Sequence, residues 1–237
     1  MHIVIAGYPR SGSTMLTNML RSTVTNFKFF DSEMKALAVP PNSGNVITKR
    51  PWDISVADTI ALRIPDVRFL VCVRDPRSVI TSKHYQAPDE YKVSWDKAIR
   101  YVHPDGKIDY MEGLIYWDDH IRKVPRPTYM FFENLISRPQ LEQQRLQKLF
   151  GFQYNGKRFA DFWESEIPER LSVQLNGIRP LDVDRKDSWR KNPERVIEQF
   201  ESCAYLHELL YKYRYEMDEG WLDWLKLNIR CDSVEDK

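Results

Sequence analysis

The eight residues Gly7–Thr14 combine glycine, hydroxyl and guanidinium groups in a spacing that suits phosphate binding. Gly7 and Gly12 leave room for the backbone to approach phosphate oxygens closely. A helix that begins after Gly12 would direct its unpaired N–H groups, and the positive end of its dipole, at an anion. We therefore predict a loop that holds a phosphorylated nucleotide. The residues expected to contact the anion are Pro9, Arg10, Ser11, Gly12, Ser13 and Thr14.

The cation of this stretch stands inside the loop. The spacing G-x-x-x-x-G-[ST]-T is that of the phosphate loop of nucleotide triphosphatases, but Ser13 stands where that motif requires lysine. The lysine of those enzymes neutralises the β- and γ-phosphates, whereas the positive charge here lies at Arg10. The arrangement favours a 5′ group with two tetrahedral centres and no γ-phosphate. The competing interpretation is a strand–turn–helix corner with incidental glycines.

A second anion site is predicted where the strongest strand pattern, residues 68–73, ends. Arg74 follows that run, and Asp75-Pro76 then begins a helix that should include Ser82. Ligands of open α/β sheets bind at the carboxyl ends of strands, and a guanidinium can hold a phosphate through two hydrogen bonds. The Ser82 hydroxyl could donate to the same anion. The alternative is a surface pair of Arg74 with Asp75, and a solvated Ser82.

Strand and helix patterns alternate along the chain, and this order positions the two loops. A helix is expected over residues 13–22, directly after the first strand. The alternation predicts a P-loop-like, three-layer α/β fold with a central, mostly parallel sheet flanked by helices, in a single domain over residues 1–237. Apolar runs predict strands at residues 3–6, 27–30, 46–48, 68–73 and 128–132.

Several longer segments lie between these patterns. Residues 85–110 are expected to form a loop with a helix around residues 95–101, and residues 151–190 to be irregular. A helix is predicted over residues 109–123, with Glu112, Asp118 and Asp119 on its solvated face. One long helix is predicted over residues 196–211. The tail at residues 218–237, apolar on one side, is expected to pack on the domain.

Composition excludes several classes of protein. The 237 residues carry 35 Lys and Arg against 34 Asp and Glu, a formal charge of +1, so no nucleic-acid partner is expected. Three cysteines without a close pair predict neither a disulfide framework nor a zinc site, and no metal is expected. No apolar run approaches the roughly 20 residues of a membrane span. We expect a cytoplasmic protein; the oligomeric state is not encoded in any pattern.

Taken together, the two loops resemble those of the sulfotransferases that use 3′-phosphoadenosine 5′-phosphosulfate (PAPS). The first motif of that family is similar to Tyr8–Thr14, and the second is similar to Val73–Ser82. The resemblance implies that the first binds the 5′-phosphosulfate and that Arg74 and Ser82 bind the 3′-phosphate. Weaker similarities are Phe132-Glu133-Asn134-Leu135 and a basic stretch at residues 185–190, which implies Arg185 and Lys186 beside the 3′-phosphate.

Departures from the cytosolic members of that family bear on the branch and on the catalytic base. Arg10 and Met15 replace a lysine and a tryptophan, which makes the chain look more like the tyrosylprotein or bacterial branches. No histidine stands where the cytosolic members carry their base. The resemblance implies Glu33 as base, with His84 as the second candidate, while Lys49 resembles a lysine that contacts the bridging oxygen. Glu33 is equally well explained as a carboxylate at a helix start.

The resemblance implies an enzyme that transfers the sulfuryl group of PAPS in line to an acceptor hydroxyl or amine, leaving PAP. The acceptor would contact residues 85–110 and 151–190, which are rich in aromatic and charged residues. A sugar, a peptide tyrosine, a lipid or a small phenol would suit them. Two alternatives stay open at this point: a P-loop-type nucleotide or small-molecule kinase, and a nucleotide-binding module without catalysis.

Overall fold

The computed structural model describes residues 1–30, 33–164 and 179–235 of the chain. Residues 165–178, within the segment predicted to face the acceptor, lie outside the described residues. The chain divides into two compact units, each built from two stretches of sequence. The single-domain organisation stays a prediction. The first unit comprises Met1–Arg74 and Trp117–Val183, and the second comprises Asp75–Tyr116 and Asp184–Lys237.

Strands and helices alternate through the described part of the chain. The strands are β1 (His2–Gly7), β2 (Lys28–Phe29), β3 (Val46–Lys49), β4 (Val67–Val73), β5 (Lys97–Val102), β6 (Ile108–Glu112) and β7 (Thr128–Phe131). The α-helices are α1 (Ser13–Thr23), α2 (Ala57–Arg63), α3 (Pro76–Ile80), α4 (Leu114–Lys123), α5 (Phe132–Ser137), α6 (Pro139–Phe150), α7 (Pro193–Ser202), α8 (Tyr205–Lys212) and α9 (Gly220–Glu235). Short 3₁₀ helices span Ala36–Ala38, Pro51–Val56, Phe159–Glu164 and Val183–Lys191. Among the described residues, none of these helices is both long and apolar enough to cross a bilayer.

The first unit is built on a parallel sheet with the strand order β2-β3-β1-β4-β7. Its central strand, β1, is buried along its whole length, because β3 and β4 pair with it on either side. The carboxyl ends of parallel strands share one edge of a sheet. That edge therefore carries Gly7, Lys49, Val73 and Phe131. The expected α/β fold, a mostly parallel sheet flanked by helices, is confirmed.

Helix α1 packs its apolar face on this sheet. Leu16, Met19 and Leu20 recur at helical spacing and lie in one buried cluster with Ile3 and Ile5 of β1. Burial of side chains of this size stabilises the folded state by about 1.5–3 kcal/mol each. Because α1 starts just after the glycine-rich stretch, this packing fixes both ends of that stretch.

The second unit contradicts the helix predicted around residues 95–101. The chain instead forms an antiparallel hairpin of β5 and β6. A turn at Pro104-Asp105-Gly106 closes it: Gly106 has a φ of 85°, and its N–H donates to the carbonyl of His103 at 2.9 Å. Turn residues of this type separate two strands more readily than they continue a helix. The aromatic residues of this segment therefore lie on a hairpin.

Two further helix predictions need correction in the second unit. The helix expected over residues 196–211 is two helices, α7 and α8, because Cys203 between them is extended with φ −149° and ψ 101°. Helix α3 ends at Ile80, so Ser82 lies after the helix rather than on it. The predicted start of α3 is confirmed: the Asp75 side chain accepts a hydrogen bond from the N–H of Arg77 at 2.8 Å, as an N-cap residue does.

Candidate functional site

The glycine loop, defined as Gly7–Thr14, leaves the sheet at a position that excludes a side chain. Gly7 has a φ of 140°, which residues with a side chain rarely adopt. A Cβ atom at Gly7 would lie 2.1 Å from the carbonyl oxygen of Cys72 on β4. Glycine is thus required here so that the backbone can pass directly against the neighbouring strand.

Hydrogen bonds among its own residues close the loop. The N–H and the Oγ of Ser11 both donate to the carbonyl of Tyr8, at 3.3 Å and 2.7 Å. Arg10, inside this turn, has a φ of 66°, a left-handed conformation that is uncommon outside glycine. The Ser11 hydroxyl, predicted to contact an anion, therefore has a bond within the loop, and its contact with an anion stays a prediction.

The loop ends at the start of helix α1. Gly12 precedes the helix with a φ of 85°, and a Cβ atom there would lie 2.6 Å from Cδ2 of Phe132. The N-cap residue, Gly12, gives no side-chain cap, and the first turn contains no acidic residue. The N–H groups of Ser13 and Thr14 and the helix dipole thus meet no competing carboxylate from the helix itself, as an anion site requires.

The side chain of Tyr8 is held by a buried carboxylate. Its hydroxyl donates to Oδ1 of Asp118 on α4 at 2.8 Å, and neither residue is exposed to solvent. The other carboxylate oxygen of Asp118 accepts from Nε of Arg122 at 2.8 Å. The prediction that Asp118 lies on a solvated face is therefore wrong. Asp118 follows Leu114 and Trp117 and precedes Ile121, at spacings that place all four on one helix face, and all four are buried.

Two arginines predicted to bind anions meet at the glycine loop. Nη1 of Arg74, just after β4, donates to the carbonyl of Arg10 at 3.2 Å. The Arg74 guanidinium carbon also lies 4.3 Å from the ring centroid of Phe132, a favourable cation–π distance. Burial lowers the pKa of Arg10 from its ordinary value, although an arginine stays charged at neutral pH. The structure thus brings Arg10 and Arg74 together through a backbone contact.

Two of the predicted catalytic residues, Glu33 and Lys49, form an ion pair. Lys49 ends β3 opposite Ile5 of β1, so its side chain starts from the edge of the sheet that carries the glycine loop. The Lys49 side chain is largely buried, while that of Glu33 is 39% exposed. Burial raises the pKa of the Cys72 thiol to about 12, and the positive charge of Lys49 acts in the opposite direction. Cys72 is therefore a neutral core residue.

A buried carboxylate links the segments that carry this ion pair. Oδ2 of Asp53 accepts from the N–H of Ala36 at 3.0 Å, and Oδ1 accepts from Nη1 of Arg50 at 3.0 Å. The N–H of Arg50 in turn donates to the carbonyl of Ile5 at 3.1 Å. Burial raises the pKa of Asp53, and these two hydrogen bonds oppose that shift. Asp53 thus ties the chain near Glu33 to the chain after Lys49.

Other predicted residues belong to the second unit. Ser82 donates its N–H to the carbonyl of Val79 at 3.1 Å, in the turn that follows α3. His84, the second candidate for the base, is buried, and its Nδ1 accepts from the N–H of Gln86 at 3.1 Å. Nδ1 of His84 is therefore engaged by a hydrogen bond from a residue two positions away. Pairing of Ser82 with Arg74 of the first unit stays a prediction.

The basic stretch at residues 185–190 lies in the 3₁₀ helix Val183–Lys191. Oγ of Ser78 on α3 donates to the carbonyl of Lys186 at 3.4 Å, so this stretch contacts the helix inside the second motif. Arg77 strengthens the same contact: it is paired with Asp75 at 2.7 Å and lies 4.1 Å from the Trp189 ring centroid. Anion binding by Arg185 and Lys186 stays a prediction.

Sequence reasoning missed the supporting roles of Tyr8, Asp118 and Phe132. The helical spacing of Asp118 with its apolar neighbours was the available signal for its burial. In the sequence Phe132 belongs only to a weak motif, yet its ring lies against both Gly12 and Arg74. In the described part of the chain, no group of three or more His, Cys, Asp or Glu side chains is placed to hold a metal ion.

The chain is similar to known proteins in structure, but its sequence gives no match. No protein-family model and no curated protein matches the sequence. The sulfotransferase domain from the Synechococcus PCC 7002 olefin synthase superposes with a TM-score of 0.51 at 14% identity, over 86% of this chain and 94% of that domain. The sulfotransferase domain from the curacin biosynthetic pathway has a TM-score of 0.51 at 12% identity, over 80% of this chain and 90% of that domain.

The chain has a sulfotransferase fold. At these identities the likeness establishes the fold and leaves the reaction to be argued from the site. Membership of the family and its branch stay predictions, and the branch depends on single residues such as Arg10 and Met15. What the site itself offers is a helix start without a carboxylate, two arginines at one loop, and an ion pair on the same edge of the sheet.

Proposed function

We propose that the chain is a PAPS-dependent sulfotransferase. The observation that carries the proposal is the glycine loop itself. It joins β1 to the start of α1, whose first turn has no acidic residue, with Arg10 inside it and Arg74 bound to its backbone. The fold is that of sulfotransferase domains, and Ser13 stands in place of the P-loop lysine. The 5′-phosphosulfate of PAPS has two tetrahedral groups and no third phosphate, and it therefore matches this distribution of positive charge.

The residues present fit a 5′-phosphosulfate group. Gly7 and Gly12 fill positions where a Cβ atom would collide with neighbouring atoms, so the backbone can approach the anion closely. The N–H groups of Gly12, Ser13 and Thr14, where the loop meets α1, would be the main backbone donors. Arg10 would stabilise negative charge on the bridging oxygen. Removal of one such donor typically raises a barrier by about 2.7–4 kcal/mol. Arg74, with Ser82, Arg185 and Lys186 as further ligands, would hold the 3′-phosphate.

The acceptor needs a base and an in-line approach. PAPS supplies the sulfuryl group when bound, and PAP carries away the electron pair of the broken S–O bond. A Glu33 carboxylate oxygen would take the proton from the acceptor hydroxyl or amine as the new bond to sulfur forms. The Lys49 ammonium would donate a hydrogen bond to the bridging oxygen. The Glu33–Lys49 ion pair supports this assignment, because it places both groups at one point of the sheet edge.

Calorimetry with three ligands tests the proposal. The chain should bind PAP without added metal, and should bind ATP weakly both with and without Mg²⁺. A kinase would instead bind ATP tightly in the presence of Mg²⁺, and that result would overturn the proposal. A non-catalytic module would bind PAP but release none from PAPS with any acceptor.

The acceptor can be sought with the same protein. A panel containing a sugar, a tyrosine peptide, a hydroxylated lipid and a small phenol would be incubated with PAPS, and PAP release would be measured. Sulfation of one class above the rate with water identifies the acceptor. PAP binding together with no turnover across all four classes would support a nucleotide-binding module instead.

A further inference from the structure

We infer that Asp118 is a positioning residue for the glycine loop, and that it acts through the hydroxyl of Tyr8. The inference rests on the proposed function, because it concerns how the same loop holds its nucleotide. Asp118 stands 110 positions after Tyr8 and belongs to helix α4. It does not belong to the loop, and nothing in the spacing of the loop residues requires it.

The contact is enclosed and strong. Both residues are fully buried, and the hydroxyl of Tyr8 lies 2.8 Å from Oδ1 of Asp118. A hydrogen bond to an ionised acceptor is roughly twice as strong as one between neutral groups. Arg122 occupies the other oxygen of Asp118 at 2.8 Å, so the carboxylate is held from two sides. Burial, with a smaller contribution from Asp118, raises the pKa of Tyr129 on β7.

The backbone couples this contact to the anion-binding part of the loop, so that movement of Tyr8 would also move that part. Gly7 fixes one side of Tyr8 against β4, and the hydroxyl of Tyr8 fixes its side chain on α4. The Tyr8 carbonyl then accepts both hydrogen bonds from Ser11, and these bonds close the turn that contains Arg10. Loss of the Asp118 contact would free Tyr8 to move, and the Arg10 turn would move with it. Displacements of about 1 Å in such a site are costly for function.

Calorimetric titration with PAP provides the test, since it needs no knowledge of the acceptor. Tyr8→Phe removes a single oxygen, and Asp118→Ala removes its partner. Each should raise the dissociation constant for PAP about tenfold, equivalent to about 1.4 kcal/mol. The double variant should also show about a tenfold loss rather than a hundredfold one, because both changes remove the same contact. Asp118→Asn keeps an oxygen that can accept from Tyr8 and should recover most of the affinity.

A matched control separates positioning from general stability. The hydroxyl of Tyr154 donates to the carbonyl of Gln143 at 2.9 Å, on α6, so Tyr154→Phe removes a similar bond from the same unit. It should lower the melting temperature without changing PAP affinity. If Tyr8→Phe and Asp118→Ala behave like Tyr154→Phe, the inference is overturned. If the unmodified chain itself fails to bind PAP, the proposed function falls and this inference falls with it.

Discussion

The Lys49 ammonium and the Glu33 carboxylate form an ion pair at the carboxyl end of β3. Asp53 holds the two chain segments that carry them, through bonds to Ala36 and Arg50. Lys49 is largely buried while Glu33 is more open to solvent. A carboxylate that solvent can reach is also open to an acceptor group, whose proton it could take.

Exchange of the carboxylate for an amide should therefore abolish most turnover and leave nucleotide binding intact. Glu33→Gln keeps the shape of the side chain but cannot accept a proton. We expect a loss of about 10²–10⁴-fold in kcat, with PAP affinity within twofold of the unmodified chain, measured by PAP release and by calorimetry. His84→Ala is the comparison variant. If His84→Ala loses turnover and Glu33→Gln does not, the base has been assigned to the wrong residue.

Removal of the guanidinium from the glycine loop should affect the reaction more than the fold. Arg10→Ala is expected to lower kcat by about 10²–10³-fold, since one donor to developing charge is lost. Arg145→Ala removes a partly exposed arginine on α6 that pairs with Glu142 at 2.7 Å, and it should leave turnover unchanged. Near-normal kcat in Arg10→Ala would contradict a role in charge stabilisation.

Gly12 and Gly106 allow a comparison in which only the surroundings differ. Both have a φ of 85°, but a Cβ atom meets Phe132 at Gly12 and open space at Gly106. Gly106→Ala should cost only the conformational strain, about 1 kcal/mol in the free energy of unfolding. Gly12→Ala should cost more, and should also weaken PAP binding because Phe132 must shift. Equal effects on urea unfolding and on PAP binding would show that the Phe132 contact is unimportant.

The Phe132 ring should contribute to nucleotide affinity through Arg74. Phe132→Leu keeps an apolar side chain but removes the aromatic face 4.3 Å from the guanidinium. The expected cost is about 0.5–2 kcal/mol in PAP binding, measured by calorimetry. Phe132→Tyr keeps the face and should bind normally. A weakened Phe132→Tyr variant together with an unaffected Phe132→Leu variant would contradict this role of the ring.

Stability should fall as pH falls through the range set by His2. Burial lowers the pKa of His2 to about 4 from its ordinary value of 6.5, and its Nε2 lies 2.9 Å from Oγ1 of Thr48. Below pH 6.5 the unfolded chain binds a proton that the folded chain does not, so stability is lost between about pH 6.5 and pH 4. The full loss is about 3 kcal/mol, at 1.36 kcal/mol per pKa unit.

Urea unfolding at a series of pH values checks the effect of His2. His2→Gln should flatten the dependence over this range, because the titrating ring is gone. His103→Gln is the control: His103 is partly exposed and pairs with Asp109, so the contribution of His2 should persist in that variant. An unchanged pH dependence in His2→Gln would exclude His2 as the cause.

The sequence determined the glycine loop, the strand before it and the helix after it. These features depend on residues within one or two turns of each other: glycines where the backbone must bend, an apolar run for a buried strand, and apolar spacing for a packed helix. The cap at Asp75 was predictable for the same reason. The hairpin of β5 and β6 was not predicted, because it depends on pairing between strands on both sides of the turn at residues 104–106 as well as on the residues before that turn.

Only the tertiary structure decided which distant residues support that loop. The three contacts are the hydrogen bond of Tyr8 with Asp118, the stacking of Arg74 on Phe132, and the ion pair of Lys49 with Glu33. No pattern in the local sequence specifies these partners. The physical reason lies in the parallel sheet, which gathers the carboxyl ends of strands far apart in the chain at a single edge. Contacts made there depend on strand order and helix packing, which are properties of the whole fold.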